Sequence, residues 1–173
     1  GPSDAQEMAR LYRKVFSSYP FPITDPSELI GAMASDAARY FGIVRRADGK
    51  LCALAATEMY VQEGEGFVEM TDFGTLPGFR GKRFASFLLG ELEREMRTLD
   101  KKMRADVIAG PGAGAGAGAG TGSYGSGGVQ TLYTICRAGI PSVNKLFATA
   151  GYEFSGTLTQ NTHIGGQAED MNV

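Results

Sequence analysis

The sequence predicts an α/β domain, more narrowly α+β, with an antiparallel meander at its centre and helices on either side. Three observations carry that expectation. The chain has 173 residues, the length of one domain. Apolar residues recur at helical spacing near the start, switch to strand-like alternation near residue 39, and return to helical spacing near residue 84. The turns inside the strand-like middle are short, and short turns join antiparallel neighbours.

Each element has a local reason. Residues 3–17 read as a helix: Ser3 and Gln6 can form a capping box, and Met8, Leu11, Tyr12, Val15 and Phe16 share one face. Pro20 and Pro22 forbid its continuation. A second helix opens at Asp25, which caps, with Pro26 at the first helical position and Glu28 placed to reach back. Leu29, Ile30 and Met33 supply its buried face. Residues 40–44 form a short strand, and Ala47-Asp48-Gly49-Lys50 a hairpin turn, because Asp-Gly accepts positive φ. Residues 51–61 and 67–76 are the next strands, joined through Gly64-Glu65-Gly66. Residues 84–99 form a long helix with Phe87, Leu88, Leu92 and Met96 inward; Glu91, Glu93, Arg94, Glu95 and Arg97 decorate its solvated remainder. Residues 129–136 read as one strand, 142–149 as a short helix closed by Gly151, and 152–164 as a returning strand or hairpin.

Composition narrows the class. Hydrophobic residues are 43% and charged residues 21%, a folded and soluble balance. Net charge is −2, without the basic excess of a nucleic-acid binder. No apolar run approaches the ~18 residues of a membrane span. Cys52 and Cys136 stand alone in apolar stretches, as buried free thiols of a reducing, cytoplasmic protein. The opening Gly1-Pro2-Ser3 lacks the features of a signal peptide and reads as a tag scar. Residues 110–128 hold ten of the 25 glycines. Such a stretch offers little side-chain area against high backbone entropy, so it reads as a flexible insertion or linker within one domain spanning 1–173.

The chemically loaded segment runs from Phe67 to Ala85. It is a strand, then a basic glycine loop, then a helix start. A helix start presents unpaired backbone N–H groups and the positive end of its dipole, which favours an anion. Arg80, Lys82 and Arg83 add formal charge, and a diphosphate is the natural occupant.

Arg80-Gly81-Lys82-Arg83-Phe84-Ala85 resembles the Arg/Gln-x-x-Gly-x-Gly/Ala pyrophosphate signature of the GNAT superfamily of N-acetyltransferases. Further words make the chain resemble the β-lysine N6-acetyltransferase family: Ser18-Tyr19-Pro20-Phe21-Pro22-Ile23, Glu69-Met70-Thr71-Asp72-Phe73, Thr75-Leu76-Pro77, Tyr133-Thr134-Ile135, Ala150-Gly151-Tyr152 and Met171-Asn172-Val173. The resemblance implies a mixed, mostly antiparallel, twisted sheet flanked by helices. It implies acetyl-CoA as donor, no metal, and as acceptor the ε-amine of β-lysine or a similar small amine. The product would be a compatible solute. Set against the family pattern, both chain ends look trimmed. A GNAT enzyme with another acceptor (a polyamine, an amino acid or a protein lysine) and a non-catalytic acyl-CoA-binding module are the alternatives. A monomer or homodimer is expected.

Roles follow residue by residue from the resemblance. Phe73, Gly74, Thr75 and Leu76 end the strand that would pair with pantetheine. Arg80, Gly81, Lys82, Arg83, Phe84 and Ala85 would hold the pyrophosphate. Asn144 would meet the pantetheine arm, or else cap the start of the short helix. Two positions depart from the pattern: Arg83 replaces the first signature glycine, and Phe147 stands where many members carry a tyrosine acid. Direct transfer needs a neutral amine, and a free alkylammonium has a pKa near 10.4, so a base must help. Glu69 is the candidate base. Asp72 is a second carboxylate, for anchoring an ammonium or for structure. Strict alternation sets Glu69, Thr71 and Phe73 on one face and Asp72 on the other, unless a bulge intervenes, as it commonly does in the superfamily. Tyr19, Asn161 and His163 are candidates for the acceptor pocket.

Overall fold

The computed structural model describes residues 1–35, 37–62, 64–109 and 127–173, with 106–109 as backbone only. The expected flexible stretch lies, over 110–126, outside the described residues. Element order is α1 (Ala5–Val15), α2 (Pro26–Ala34), β1 (Ala38–Val44), β2 (Leu51–Gln62), β3 (Glu65–Thr75), α3 (Phe84–Ala109), β4 (Gly128–Tyr133), β5 (Cys136–Arg137), α4 (Pro141–Ala150), β6 (Thr157–Ile164) and β7 (Gln167–Asn172).

The strands are mixed and mostly antiparallel, as expected, but they divide into two sheets. One has the order β1-β2-β3-β4, the other β5-β7-β6. Within the first, only the β3–β4 pair is parallel. The stretch expected as one strand over 129–136 is therefore broken. It leaves the first sheet at Tyr133 and joins the second at Cys136.

Two apolar clusters hold the first sheet between helices. On one face Met8, Leu11 and Tyr12 of α1 and Leu29 of α2 pack on Leu51, Leu54 and Leu76. On the other, Leu88, Leu89, Leu92 and Met96 of α3 and Phe147 of α4 pack on Ala53, Ala55, Val68 and Met70. Covered on both faces, β2 is buried continuously over 51–57 and apolar from Leu51 through Ala56.

Several local expectations change. No Ser3–Gln6 capping box forms, because a short 3-10 turn takes Pro2–Asp4 and α1 starts at Ala5. Asp25 does cap: its Oδ1 accepts from the Ser27 amide at 2.8 Å. The α2 face narrows, with Leu29 buried and Ile30 42% exposed. Helix α3 continues ten residues past the expected stop at Leu99, through good helix formers and an Asp100–Arg104 ion pair at 2.8 Å. Its inward face takes Leu89 rather than Phe87, which is 59% exposed. Gly165 and Gly166, both at positive φ, turn β6 into β7.

Candidate active site

Strand β3 builds the site by losing its neighbour part-way along. Its ladder with β4 runs from Glu65↔Gly128 to Glu69↔Tyr133 and ends there. On the opposite edge the ladder with β2 continues to Thr75. Beyond Glu69, the β4-side edge of β3 thus keeps backbone groups that no strand pairs, at the point where β4 turns away to the second sheet.

A bulge reshapes the same stretch. Leu54 stands opposite Gly74 and Ala56 opposite Thr71, so β3 carries one extra residue there. Asp72 absorbs it at φ +57, a left-handed conformation that Asp tolerates better than most residues. This corrects the face assignment from strict alternation. Phe73 turns to the α3–α4 side, edge-on to Phe147 with centroids 5.5 Å apart. Asp72 joins Glu69 and Thr71 on the α1 side.

There the Tyr19 hydroxyl donates to Asp72 Oδ1 at 2.5 Å, and the Thr71 hydroxyl reaches the same oxygen at 3.5 Å. Asp72 is only 6% exposed, and its Oδ2 has no hydrogen-bond partner. Burial lifts the Asp72 carboxyl to about 6, against the pull of the Tyr19 hydrogen bond. Glu69 is pushed to about 7, first by burial and then by the charges of Glu58 and Asp72; the Ile135 N–H and the Thr71 hydroxyl draw it back. The fully buried Tyr12 hydroxyl is also without a partner, and burial and Asp72 raise its pKa.

The basic loop follows β3 directly. Arg80 Nε donates to the Thr75 carbonyl at 3.3 Å, tying the loop to the strand end. Gly81 lies at φ +77, and Arg83 at φ +59, where the signature glycine would rest without strain. Helix α3 begins at Phe84, so the N–H groups of its first turn have no helical acceptor. Phe84 stacks on Phe79 with centroids 6.5 Å apart, and the Arg45 and Lys82 cations stand over the Phe79 ring. Arg80, Lys82 and Arg83 are exposed.

The remaining candidates separate. Gly74 lies against α1, where an added Cβ would come within 3.0 Å of Leu11 Cδ2. Thr75 is half-buried, but the Leu76 side chain belongs to the core, which leaves only its backbone to meet a ligand. Asn144 does not open α4; it is the fourth residue of that helix. Its Nδ2 donates to the carbonyls of Arg137 and Ile140, and its Oδ1 accepts from Asn172 and Cys136. Asn144 and Phe147, with Tyr133 and Tyr152, line a cleft of about 500 Å³ on the α4 side, which does not include Glu69 or Asp72. Of the acceptor candidates, Tyr19 is brought to Asp72. Asn161 and His163 are exposed on β6, and among the described residues no hydrogen bond joins them to the carboxylates. Gln160, beside them, takes φ +48 in a bulge of β6.

Sequence reasoning passed over Glu58. It stands directly opposite Glu69 on β2 and accepts a hydrogen bond from Tyr60 at 3.1 Å. The available signal was a lone acid inside an otherwise apolar strand. Tyr40, Tyr60 and Tyr133 each feel the charge of Glu58, which places them around the same group of acids. Among the described residues no group of three His, Cys, Asp or Glu could hold a metal ion, and no helix is long and apolar enough to cross a membrane.

A splayed β3–β4 pair leading into a basic loop and helix start is the architecture of a GNAT-type acyltransferase. The family model described as Acetyltransferase (GNAT) family matches residues 5–112, and the chain belongs to that family. Two curated relatives carry the name β-lysine N(6)-acetyltransferase. The one from Methanosarcina mazei is 32% identical over 99% of this chain and 51% of its own length. The one from Methanococcus maripaludis is 31% identical over 98% and 50%. The chain thus spans about half the length of the curated relatives it matches. Among solved structures, Arabidopsis thaliana NAA60 in complex with acetyl-CoA shares the fold with a TM-score of 0.71 at 13% identity, over 99% of this chain and 92% of its own. The spermidine/spermine N-acetyltransferase SpeG from Vibrio cholerae does so with a TM-score of 0.62 at 15% identity, over 99% and 87%.

Proposed function

We propose that this chain, as one domain, transfers the acetyl group of acetyl-CoA to the ε-amine of β-lysine or a closely similar small amine, directly and with Glu69 as base. One observation carries the proposal: a half-buried carboxyl, raised to about 7, lies where the β3–β4 ladder opens, on the strand that leads into the basic loop and the start of α3. The names of the two curated relatives favour β-lysine as acceptor.

The residues divide the work. The first-turn N–H groups of α3, with Arg80, Lys82 and Arg83, meet the diphosphate of the donor. The open edge of β3 over 70–75 pairs with the amide groups of its pantetheine arm. That pairing brings the thioester to the opening beside Glu69. Glu69, with its pKa raised to about 7, takes a proton from the acceptor ammonium in its ionised form, directly or through water. The neutral amine attacks the acetyl carbon, the carbon–sulfur bond breaks, and CoA leaves as the thiolate; the nitrogen sheds its second proton to solvent, which in turn protonates the thiolate. Asp72, fixed by Tyr19, holds negative charge behind the amine.

The test is release of CoA from acetyl-CoA by the purified protein given β-lysine, with product analysis for acetyl on the ε-nitrogen. No release with β-lysine, lysine or related diamines overturns it. A second reading has one observation in its favour. Phe147, at the place of the usual tyrosine acid, is buried between Phe73 and Tyr152 and offers no proton. An acyl-CoA-binding module without turnover would show calorimetric CoA binding and no activity toward any amine.

A further inference from the structure

We propose that the acceptor enters as a dication and that Glu58 is the specificity-determining residue, holding the ammonium that does not react. This inference rests on the acceptor site proposed above and names a residue that neither the family motif nor the sequence words contain.

Three carboxylates share one face of the first sheet. Glu58 and Glu69 are direct cross-strand partners, and Asp72 is brought beside them by the bulge. Like charges directly opposite on neighbouring strands destabilise a sheet. Among the described residues no Lys or Arg ion-pairs with any of the three. The arrangement is therefore short of positive charge; proton uptake by Glu69 relieves part of the repulsion, and a cationic ligand relieves it with all three acids ionised.

A second observation points the same way. Asp72 is nine-tenths buried, yet its Oδ2 has no donor. A buried carboxylate oxygen without a donor is costly, and native sites keep one where a ligand completes it. The three acids do not form a metal-ligand set. An extended organic cation with two charges fits them where a point ion does not.

The two ends of that cation are distinguished by their surroundings. Glu69 lies at the opening of the β3–β4 ladder, where the thioester is delivered, so the reacting nitrogen belongs to it. Glu58 lies one strand further from the opening, on β2, with the largely exposed Tyr60 donating to its Oε2. Directly opposed cross-strand side chains have Cβ atoms roughly 5 Å apart. Two carboxylates so placed span a pair of ammonium groups four carbons apart, the spacing in β-lysine. Tyr40 and Tyr60 lie near enough to Glu58 to feel its charge.

The test is calorimetric titration of 1,4-diaminobutane and of butylamine into the protein with CoA. The diamine is expected to bind wild type at least ~10-fold more tightly than the monoamine. Glu58→Gln should reduce that preference to within about threefold, and Glu58→Asp, which withdraws the charge by one methylene, should give an intermediate value. Equal binding of the two amines to wild type overturns the proposal, and so does a preference that survives Glu58→Gln. If Glu58→Gln does not fold, the wild-type comparison and Glu58→Asp decide. A Glu58-dependent diamine preference without CoA release from β-lysine would overturn the acceptor reading and leave this one standing; release without the preference would do the reverse.

Discussion

The pKa of Glu69 is raised to about 7 because its half-buried place removes water and two other acids repel its charge. Two predictions belong to this residue scale. First, kcat/KM for the acceptor should rise with pH through about 7, as Glu69 loses its proton. Glu69→Gln should lower kcat/KM by about 10²-fold or more and remove that limb of the profile. A pH series of CoA release measures both. Second, stability should depend on pH with a definite sign. The folded pKa values of Glu69 and Asp72 stand above their ordinary 4.5 and 3.8, at about 7 and about 6. Between those limits the native state binds more protons than the unfolded chain, so stability is greatest near pH 4–5 and falls as pH rises through the folded values. The Tm of the protein without ligand should drop by roughly 5–10 °C between pH 5 and 8, and Glu69→Gln or Asp72→Asn should flatten the slope. Scanning calorimetry at several pH values reads it. How far the residues were legible follows from what sets each role. The basic loop is contiguous and declares itself. Glu58 acts only through its register with Glu69, and a register is a pairing in space.

At the scale of elements, the junction of β3 with α3 concentrates the strain. Arg83 takes φ +59 immediately before Phe84 opens the helix. Arg83→Gly should raise Tm by about 2–4 °C, as roughly 1 kcal/mol of left-handed strain is relieved, while weakening CoA binding several-fold through the lost charge. Thermal unfolding and CoA titration on one variant separate the two effects. Element boundaries were legible where local chemistry sets them. Asp25-Pro26 starts α2, Asp48-Gly49 turns β1 into β2, and Gly151 at φ +93 ends α4. They were not legible where tertiary pairing decides. Nothing local in Val129-Gln130-Thr131-Leu132-Tyr133-Thr134-Ile135-Cys136 says that the strand must break at Tyr133, because the break is the point at which β4 leaves β3 for another sheet. The bulge at Asp72 escaped strict alternation for the same reason: an extra residue is visible only against the partner strand.

At the scale of the molecule, the two sheets, the divided core and the acidic face form one arrangement. The cluster on the α1 side includes Tyr12 and packs against Tyr19, the residue that donates to Asp72, and the cluster on the α3 side carries the helix whose start follows the basic loop. The β3–β4 ladder ends at Glu69, between these two sides, and in the proposed reaction donor and acceptor meet there. The glycine excess of the sequence has little part in this. Most of its densest stretch, 110–126, lies outside the described residues, while Gly74 and Gly81 sit where the site needs a small or left-handed residue. In the proposed function this arrangement moves acetyl from sulfur to an amine nitrogen. The most direct measurement is CoA release from acetyl-CoA by the purified protein with β-lysine, alongside lysine and simple diamines. Release should depend on β-lysine and on Glu69, with the acetyl group recovered on the ε-nitrogen. Tight CoA binding without release to any of these amines would contradict it.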